Sequence, residues 1–432
     1  MKIQLKQIIL SVILFSVCGA VFSQAANEKA LRLTLKEAQD YAIMHNRTIL
    51  NAGLSVSEAQ KRTWEVISAG LPQVNANVNY QNMMGFKMSF AGMDIPLQPT
   101  SNFQATVSQL LFSASYWVGI KMSKIGEEMT ETARLQAELD IKQQTQSAYS
   151  MALIVQENKN ILEQNLKNIE TLAKSVDDMV RIGVAEQTDA DQLKVQVAMV
   201  QNGIKTIERN IELAYNLLRF HLGIDANTEI ILAQTLENLM ATKDAREILT
   251  KDFDPNSNYT LQLLNGQIDL ANMQVSLERA ASLPNVAAFY SYTYKIAKST
   301  FDMSPNNVIG LQANIPIFAS GQRHVRTQQA KIRIETAQNN RELLTESLLM
   351  QEKQLRFNLN SAIESLELQK EAMEVSQRVF ESITRKFQQG TASSLDVTTA
   401  NTNLLQVQGN YINAMMQVFS AQTELEKLLN DF

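Results

Sequence analysis

The sequence predicts a mainly α fold with a membrane β-barrel contribution: two internal repeats, each with a long coiled-coil helical hairpin and two strands. Three observations predict it. Segments 207 residues apart share one glycine-to-aspartate stretch. Helices following those stretches carry apolar residues at alternating steps of three and four, in the same register. Four short stretches alternate apolar with polar residues, the period of a strand.

In chain order, residues 1–23 read as an export signal. Lys2 and Lys6 precede an uncharged apolar run from Ile8 to Phe22, and Val21 and Ser23 stand at the −3 and −1 positions of a cleavage site. Cleavage there removes Cys18, the only cysteine, and leaves no thiol chemistry. Val17 is too bulky for a good lipidation motif at Cys18. Loss of Lys2 and Lys6 takes the formal charge from −5 to −7, and no basic stripe suggests nucleic acid. Only 7 prolines and 15 glycines punctuate 432 residues, which implies long uninterrupted elements.

Residues 24–225 form the first predicted repeat: a helix, a β-hairpin over about 73–112, then a helical hairpin over about 113–222. After Pro72, Val74, Ala76, Val78 and Tyr80 fall on one strand face, and Gln73, Asn75, Asn77, Asn79 and Gln81 on the other. The returning strand sets Phe103, Ala105 and Val107 against Gln104, Thr106 and Ser108. A proline-free helix then runs from about Ser115 to Val180 and reaches on the order of 100 Å. It turns at Gly183 and comes back along a seam of Leu193, Val197, Val200, Ile204, Ile207, Ile211, Ala214 and Leu218.

Residues 226–432 repeat the plan: a segment over about 226–255, a helix, a β-hairpin over about 285–318 and a helical hairpin over about 320–430. Val286, Ala288, Tyr290, Tyr292 and Tyr294 share a face, although Phe289 interrupts the polar side. Ile309, Leu311, Ala313, Ile315 and Ile317 oppose Gly310, Gln312 and Asn314. The long helix spans about Arg323 to Phe387 and turns at Gly390. Its return carries Ala400, Leu404, Val407, Tyr411, Ala414, Val418, Ala421 and Leu425, each 207 residues after its counterpart.

Strands of this length with aromatic apolar faces match an outer-membrane barrel. The polar faces (Asn75, Asn77, Asn79, Gln104, Thr106, Gln312 and Asn314) suit a water-filled lumen. A soluble sandwich is the competing reading. Four strands cannot close a transmembrane barrel, so copies must pool them. Two copies give eight strands and a filled interior; three give twelve and a passage.

These features together resemble the TolC family of outer-membrane efflux proteins. Leu33 to Ala42 with His45-Asn46 is similar to the family's first-helix start, and Leu111–Ser115 and Ile317–Gly321 to its strand-to-helix junctions. Gly390–Asp396, with the helix from Asn403 to Leu429, resembles its hairpin tip. The resemblance covers nearly all of the chain after the signal. It implies a homotrimer in outer-membrane lipid, a twelve-stranded barrel and a twelve-helix periplasmic tunnel, with no cofactor. The tips around Gly183, Val184, Gly390 and Thr391 would dock a periplasmic adaptor that serves an inner-membrane pump. Asp225 to Pro255 and the C-terminal end would form an equatorial belt.

The resemblance also places Asp396 in a ring of carboxylates at a pore constriction, which would favour cations. The alternative role for Asp396 is a capping box with Ser393. Thr399 stands where the family has a second acid, Ala392 where it has a basic residue and Phe387 where it has a tyrosine, which implies a closed-state latch that is weaker here or built from other residues. Asp189 and Asp191 follow Thr188 and read as helix capping. His45, His221 and His324 lack ligand-like spacing, so no metal site is expected. The absence of a Ser/His/Asp constellation, a phosphate loop or paired cysteines points away from a secreted hydrolase. A pore-less periplasmic coiled-coil adaptor or scaffold would share the hairpins but not the alternating strands.

Overall fold

The computed structural model describes residues 30–90, 93–96, 98–242, 245–297 and 303–432. The predicted signal, with Cys18, lies outside the described residues. The chain is mainly helical. It opens with β1 (Leu31–Leu33), α1 (Leu35–His45) and α2 (Arg47–Ser68). Next come β2 (Gln73–Gln81), a small hairpin of β3 (Lys87–Phe90) and β4 (Met93–Pro96), and β5 (Thr100–Ser113). A helical hairpin follows, α3 (Ala114–Arg181) out and α4 (Gln187–Leu222) back, then β6 (Ile230–Leu232) and α5 (Leu236–Thr242). The remainder is α6 (Tyr259–Ala280), β7 (Asn285–Ala297), β8 (Asn307–Asn314), α7 (Gln322–Gln388) and α8 (Ser394–Leu429).

Local chemistry sets the helix ends. Thr34 and Glu37 form a capping box on α1, while Asn46, Ser113 and Asn258 cap α2, α3 and α6 through their side chains. The long helices stop where Gly183 (φ 76°) and Gly390 (φ 74°) take left-handed backbone. An added Cβ at either glycine would meet nothing within 4 Å, so conformation and not space calls for glycine there.

Helix α3 packs along α4, and α7 along α8; α2 lies on α3, and α6 fills the space between α3 and α7. Three apolar clusters hold this bundle. One joins α1, the middle of α3 and the end of α4 around Tyr149, Leu218 and Leu222. A second ties α7 and α8 to Ile248 and Leu261. The third unites both tips through Ile169, Leu172, Leu193, Phe380, Phe387 and Leu404. At mid-bundle β1 pairs in parallel with β6, and the Tyr149 hydroxyl donates to Leu33 O at 3.0 Å. Arg356, 207 residues on, donates to the carbonyls of Leu249 and Lys251.

The four longest strands form an antiparallel sheet in the order β2-β5-β7-β8. Strands β2 and β8 each keep one unpaired edge within the chain. The fourth strand ends at Asn314, short of the expected Ile317. Pro316 has no N–H to give a ladder, and Arg323 Nη1 donates to its carbonyl at 2.9 Å, pulling the chain into the turn before α7. No helix among the described residues is long and apolar enough to cross a membrane.

Candidate functional site

Two places gather the predicted functional residues: one face of the sheet and the two hairpin tips. Register decides the first. Asn75 pairs with Thr106 and Asn77 with Gln104. Thr106 pairs in turn with Ser291, Gln104 with Thr293, Ala287 with Gln312, and Asn285 with Asn314. Partners directly opposite project from the same side of a sheet. Asn75, Asn77, Asn79, Gln104, Thr106, Gln312 and Asn314 therefore share one face. They form a network there: Gln104 Nε2 donates to Ser291 Oγ at 2.8 Å, and Thr106 Oγ1 donates to the same oxygen at 3.2 Å.

Phe289 falls on this polar face opposite Gly310. A Cβ on Gly310 would come within 2.7 Å of the Phe289 ring, so the ring covers the glycine. The opposite face carries Val74, Val78, Tyr80, Phe103, Val107, Tyr290, Tyr292, Tyr294, Ile309 and Leu311, all exposed in the single chain. No charged side chain lies on the polar face between Gln73 and Gln81 or between Asn307 and Asn314.

At the tips, α8 begins with the capping box. Ser393 N and Oγ both donate to Asp396 Oδ2, at 2.9 and 2.8 Å, and Asp396 N donates to Ser393 Oγ at 3.2 Å. The Ser393 backbone N–H, then its hydroxyl, hold the Asp396 carboxyl below the ordinary aspartate range. The group is fully exposed and ionised at neutral pH. Thr399, one turn on, is also exposed, and its hydroxyl donates to Leu395 O at 2.8 Å. Phe387 and Ala392 instead pack in or against the tip cluster. Around the glycines, Ile182 and Val184 stand more than 70 % exposed (75 % and 72 %), whereas Thr391 turns back to Lys386 O through its hydroxyl at 3.0 Å.

The first tip corrects one expectation. Helix α4 starts at Gln187, so Thr188 lies inside its first turn and Glu186 is the cap residue. Asp189 accepts from Glu186 N at 3.2 Å and does cap, but Asp191 accepts from Gln187 Nε2 at 2.9 Å on the solvent side. Asp189 also receives the Ser394 hydroxyl, which joins the two tips. Further up, Asn165 Nδ2 donates to Asn401 Oδ1 at 3.2 Å, and Asn401 Nδ2 donates to Gln196 Oε1 at 3.3 Å. All three residues are buried between the hairpins. These links are not apparent from the sequence, because Asn and Gln within a helix normally read as surface. Their only signal is the heptad spacing of Ser394, Asn401 and Gln408. His45 and His221 lie on neighbouring segments, with Asn46 Nδ2 donating to His221 O at 2.8 Å, while His324 stands in the first turn of α7; burial pushes His221 below the usual histidine range.

Comparison with known proteins bears on what such a chain does. A family model described as outer membrane efflux protein matches residues 38–224 and 256–431. The outer membrane protein TolC of Vibrio cholerae is 22% identical over 87% of this chain and 86% of its own length. Among solved structures, CusC aligns with a TM-score of 0.75 at 17% identity, covering 95% of each chain. The open state of the MtrE outer membrane channel of Neisseria gonorrhoeae aligns at 0.72 and 17%, covering 91% of this chain and 88% of that one.

Proposed function

The chain belongs to the outer membrane efflux protein family, and from that premise we propose that three copies pool their strands into one twelve-stranded barrel above a tunnel of twelve helices. The protein is an exit duct of the outer membrane that reaches into the periplasm. The observation that carries the trimeric reading is the sheet itself. It has four strands, two open edges, one face mostly of amides and hydroxyls, with Lys295 opposite Asn102 at its far end, and one face of aliphatic and aromatic residues. Open edges are not tolerated in lipid, so each β2 needs the β8 of another copy. The amide face then lines water and the Tyr-rich face meets lipid.

In this arrangement the tips lie at the periplasmic end. Gly183, Val184, Gly390 and Thr391 form the surface offered to an adaptor that connects to an inner-membrane pump. Three copies of Asp396, ionised and exposed beside Thr399, form a ring that slows anions more than cations. Its capping role is compatible, because a carboxylate that accepts from Ser393 keeps lone pairs for water and passing ions.

The mature chain holds no cysteine, which makes edge pairing directly testable. One cysteine is placed in β2 and one in β8, at Val78 and Ile309 and at neighbouring positions to sample register. The expected outcome is linked dimers and trimers only when both edges carry a cysteine, with stepwise conductance in planar bilayers. Chains that never cross-link and carry no current would instead fit a pore-less scaffold.

A further inference from the structure

Below the sheet, acidic residues are missing from two long stretches. None occurs from Thr100 to Gly126 or from Met303 to Ile334, while Lys121, Lys124, Arg323, Arg326, Lys331 and Arg333 all do. The adjoining ends of α2 and α6 add Lys61, Arg62 and Arg279 against Glu65 and Glu278. The level where strands pass into helices is therefore a positive collar.

Its geometry is ordered. Trp117, Lys121, Lys124 and Glu128 form the exposed stripe of α3's first turns, and Trp117 is 61 % exposed one turn after β5 ends. The opposite stripe, Met122, Gly126 and Thr130, lines a groove of about 710 Å³ shared with α2 and α6. The Trp117 stripe therefore faces away from that groove. On α7 the positions 207 residues later are His324, Gln328 and Lys331, also exposed, and the first acid after them is Glu335. Ala330, the counterpart of Ser123, is buried; Ser123 touches Thr63 of α2 at 3.0 Å. The two long helices thus leave equivalent positions exposed in the single chain. No hydrogen bond or ion pair holds Lys121, Lys124 or Lys331 among the described residues.

We propose that this collar seats on the inner-leaflet surface of the outer membrane, with Trp117 at the hydrocarbon boundary and Lys121, Lys124 and Lys331 on the phosphates of anionic phospholipid. An aromatic ring at the edge of the apolar zone, followed by lysines whose stems reach back toward it, is the pattern that fixes depth in a bilayer. The lysines lie about 10–15 Å along α3 from its start, near the outer limit of the headgroup zone. Charge complementarity selects anionic over zwitterionic headgroups, by about fivefold for each basic residue at a charged surface. The inference rests on the barrel reading above.

Brominated lipids test it with the full-length protein reconstituted in vesicles. In a Trp64→Phe background, Trp117 should be quenched by bromines near the headgroup end of the chain. Brominated phosphatidylglycerol should quench it at severalfold lower mole fraction than brominated phosphatidylethanolamine. That preference should fall to parity in Lys121→Gln/Lys124→Gln/Lys331→Gln. Tyr292→Trp, with both native tryptophans replaced by Phe, reports the barrel independently and should be quenched by bromines deep in the chain. Quenching at Tyr292→Trp but not at Trp117 overturns the collar and leaves the barrel standing. Quenching at neither overturns both. A phosphatidylglycerol preference that survives loss of the lysines overturns their role.

Discussion

Helices α4 and α8 are each 36 residues long, follow equivalent glycine turns and carry the same apolar seam, yet α4 buries seven residues and α8 seventeen. Their neighbours explain the gap. Helix α4 packs along α3, touches α1 at its end and meets α8 near the tip, whereas α8 lies along both α7 and α3. A common seam thus builds two similar hairpins, and residues off the seam decide which one turns inward. In α8 the heptad of Ser394, Asn401, Gln408, Met415 and Gln422 is buried. Its counterparts in α4 begin Gln187, Lys194, Gln201 and Glu208, all in water. A lysine or glutamate cannot be enclosed cheaply, whereas an amide with partners can.

Exchanging residues between the two helices should break this asymmetry most. Asn401→Lys places a charge beside Asn165 and Gln196 and should destabilise the protein by about 4 kcal/mol or more. Lys194→Asn loses only half-exposed ion pairs, to Asp177 (3.1 Å) and Asp191 (4.0 Å), and should stay within about 0.5 kcal/mol. Thermal unfolding of the purified variants measures both, and equal losses would show that the heptad does not set orientation. Next in size, Leu218→Ala and Leu425→Ala remove equivalent, fully buried seam residues and should each cost about 3 kcal/mol in the same assay. A difference above about 1.5 kcal/mol would limit the repeat to backbone geometry.

The mid-bundle donors sharpen the comparison at a smaller scale. Burial pushes the Tyr149 phenol up to about 12. A raised value means that its contribution is complete below pH 10 and lost as pH rises toward 12. Alkaline titration followed by far-UV circular dichroism should show a transition that Tyr149→Phe removes, with about 1 kcal/mol lost at neutral pH for the hydrogen bond to Leu33 O, which keeps the Ala233 N–H as a donor. Smallest are the caps. Asp189→Asn should cost about 1 kcal/mol and Asp396→Asn less, because only Asp189 also receives the other hairpin's Ser394. The Asp396 carboxyl is depressed, so its contribution is full above the ordinary aspartate value and fades as pH falls through the lowered one. Melting curves should therefore differ at pH 6 and converge for wild type and Asp396→Asn only once pH has fallen below the lowered value.

How much of this could be read from residues alone follows from the same physics. Seam leucines, tip glycines and strand alternation are periodic, and periodicity survives without neighbours, so the hairpins and the polar face from Asn75 to Asn314 were legible. Contacts between elements leave no such trace. Asn401 and Gln196 look like surface until α3 covers them. Ile315 and Ile317 continue the alternation, but Pro316 ends the ladder between them. Thr188 resembled a cap because the helix start could be judged only to within a turn.

The unpaired edges of β2 and β8 carry a last consequence, one of timing. If the strands pool in lipid as proposed, a lone chain has nowhere to satisfy those backbone groups there and must wait on the aqueous side. Insertion becomes a matter of encounter, rising steeply with the number of chains present. In the proposed trimer, one copy with a ruined edge would stall two sound companions, so such a lesion should behave as a dominant poison and not as a simple loss.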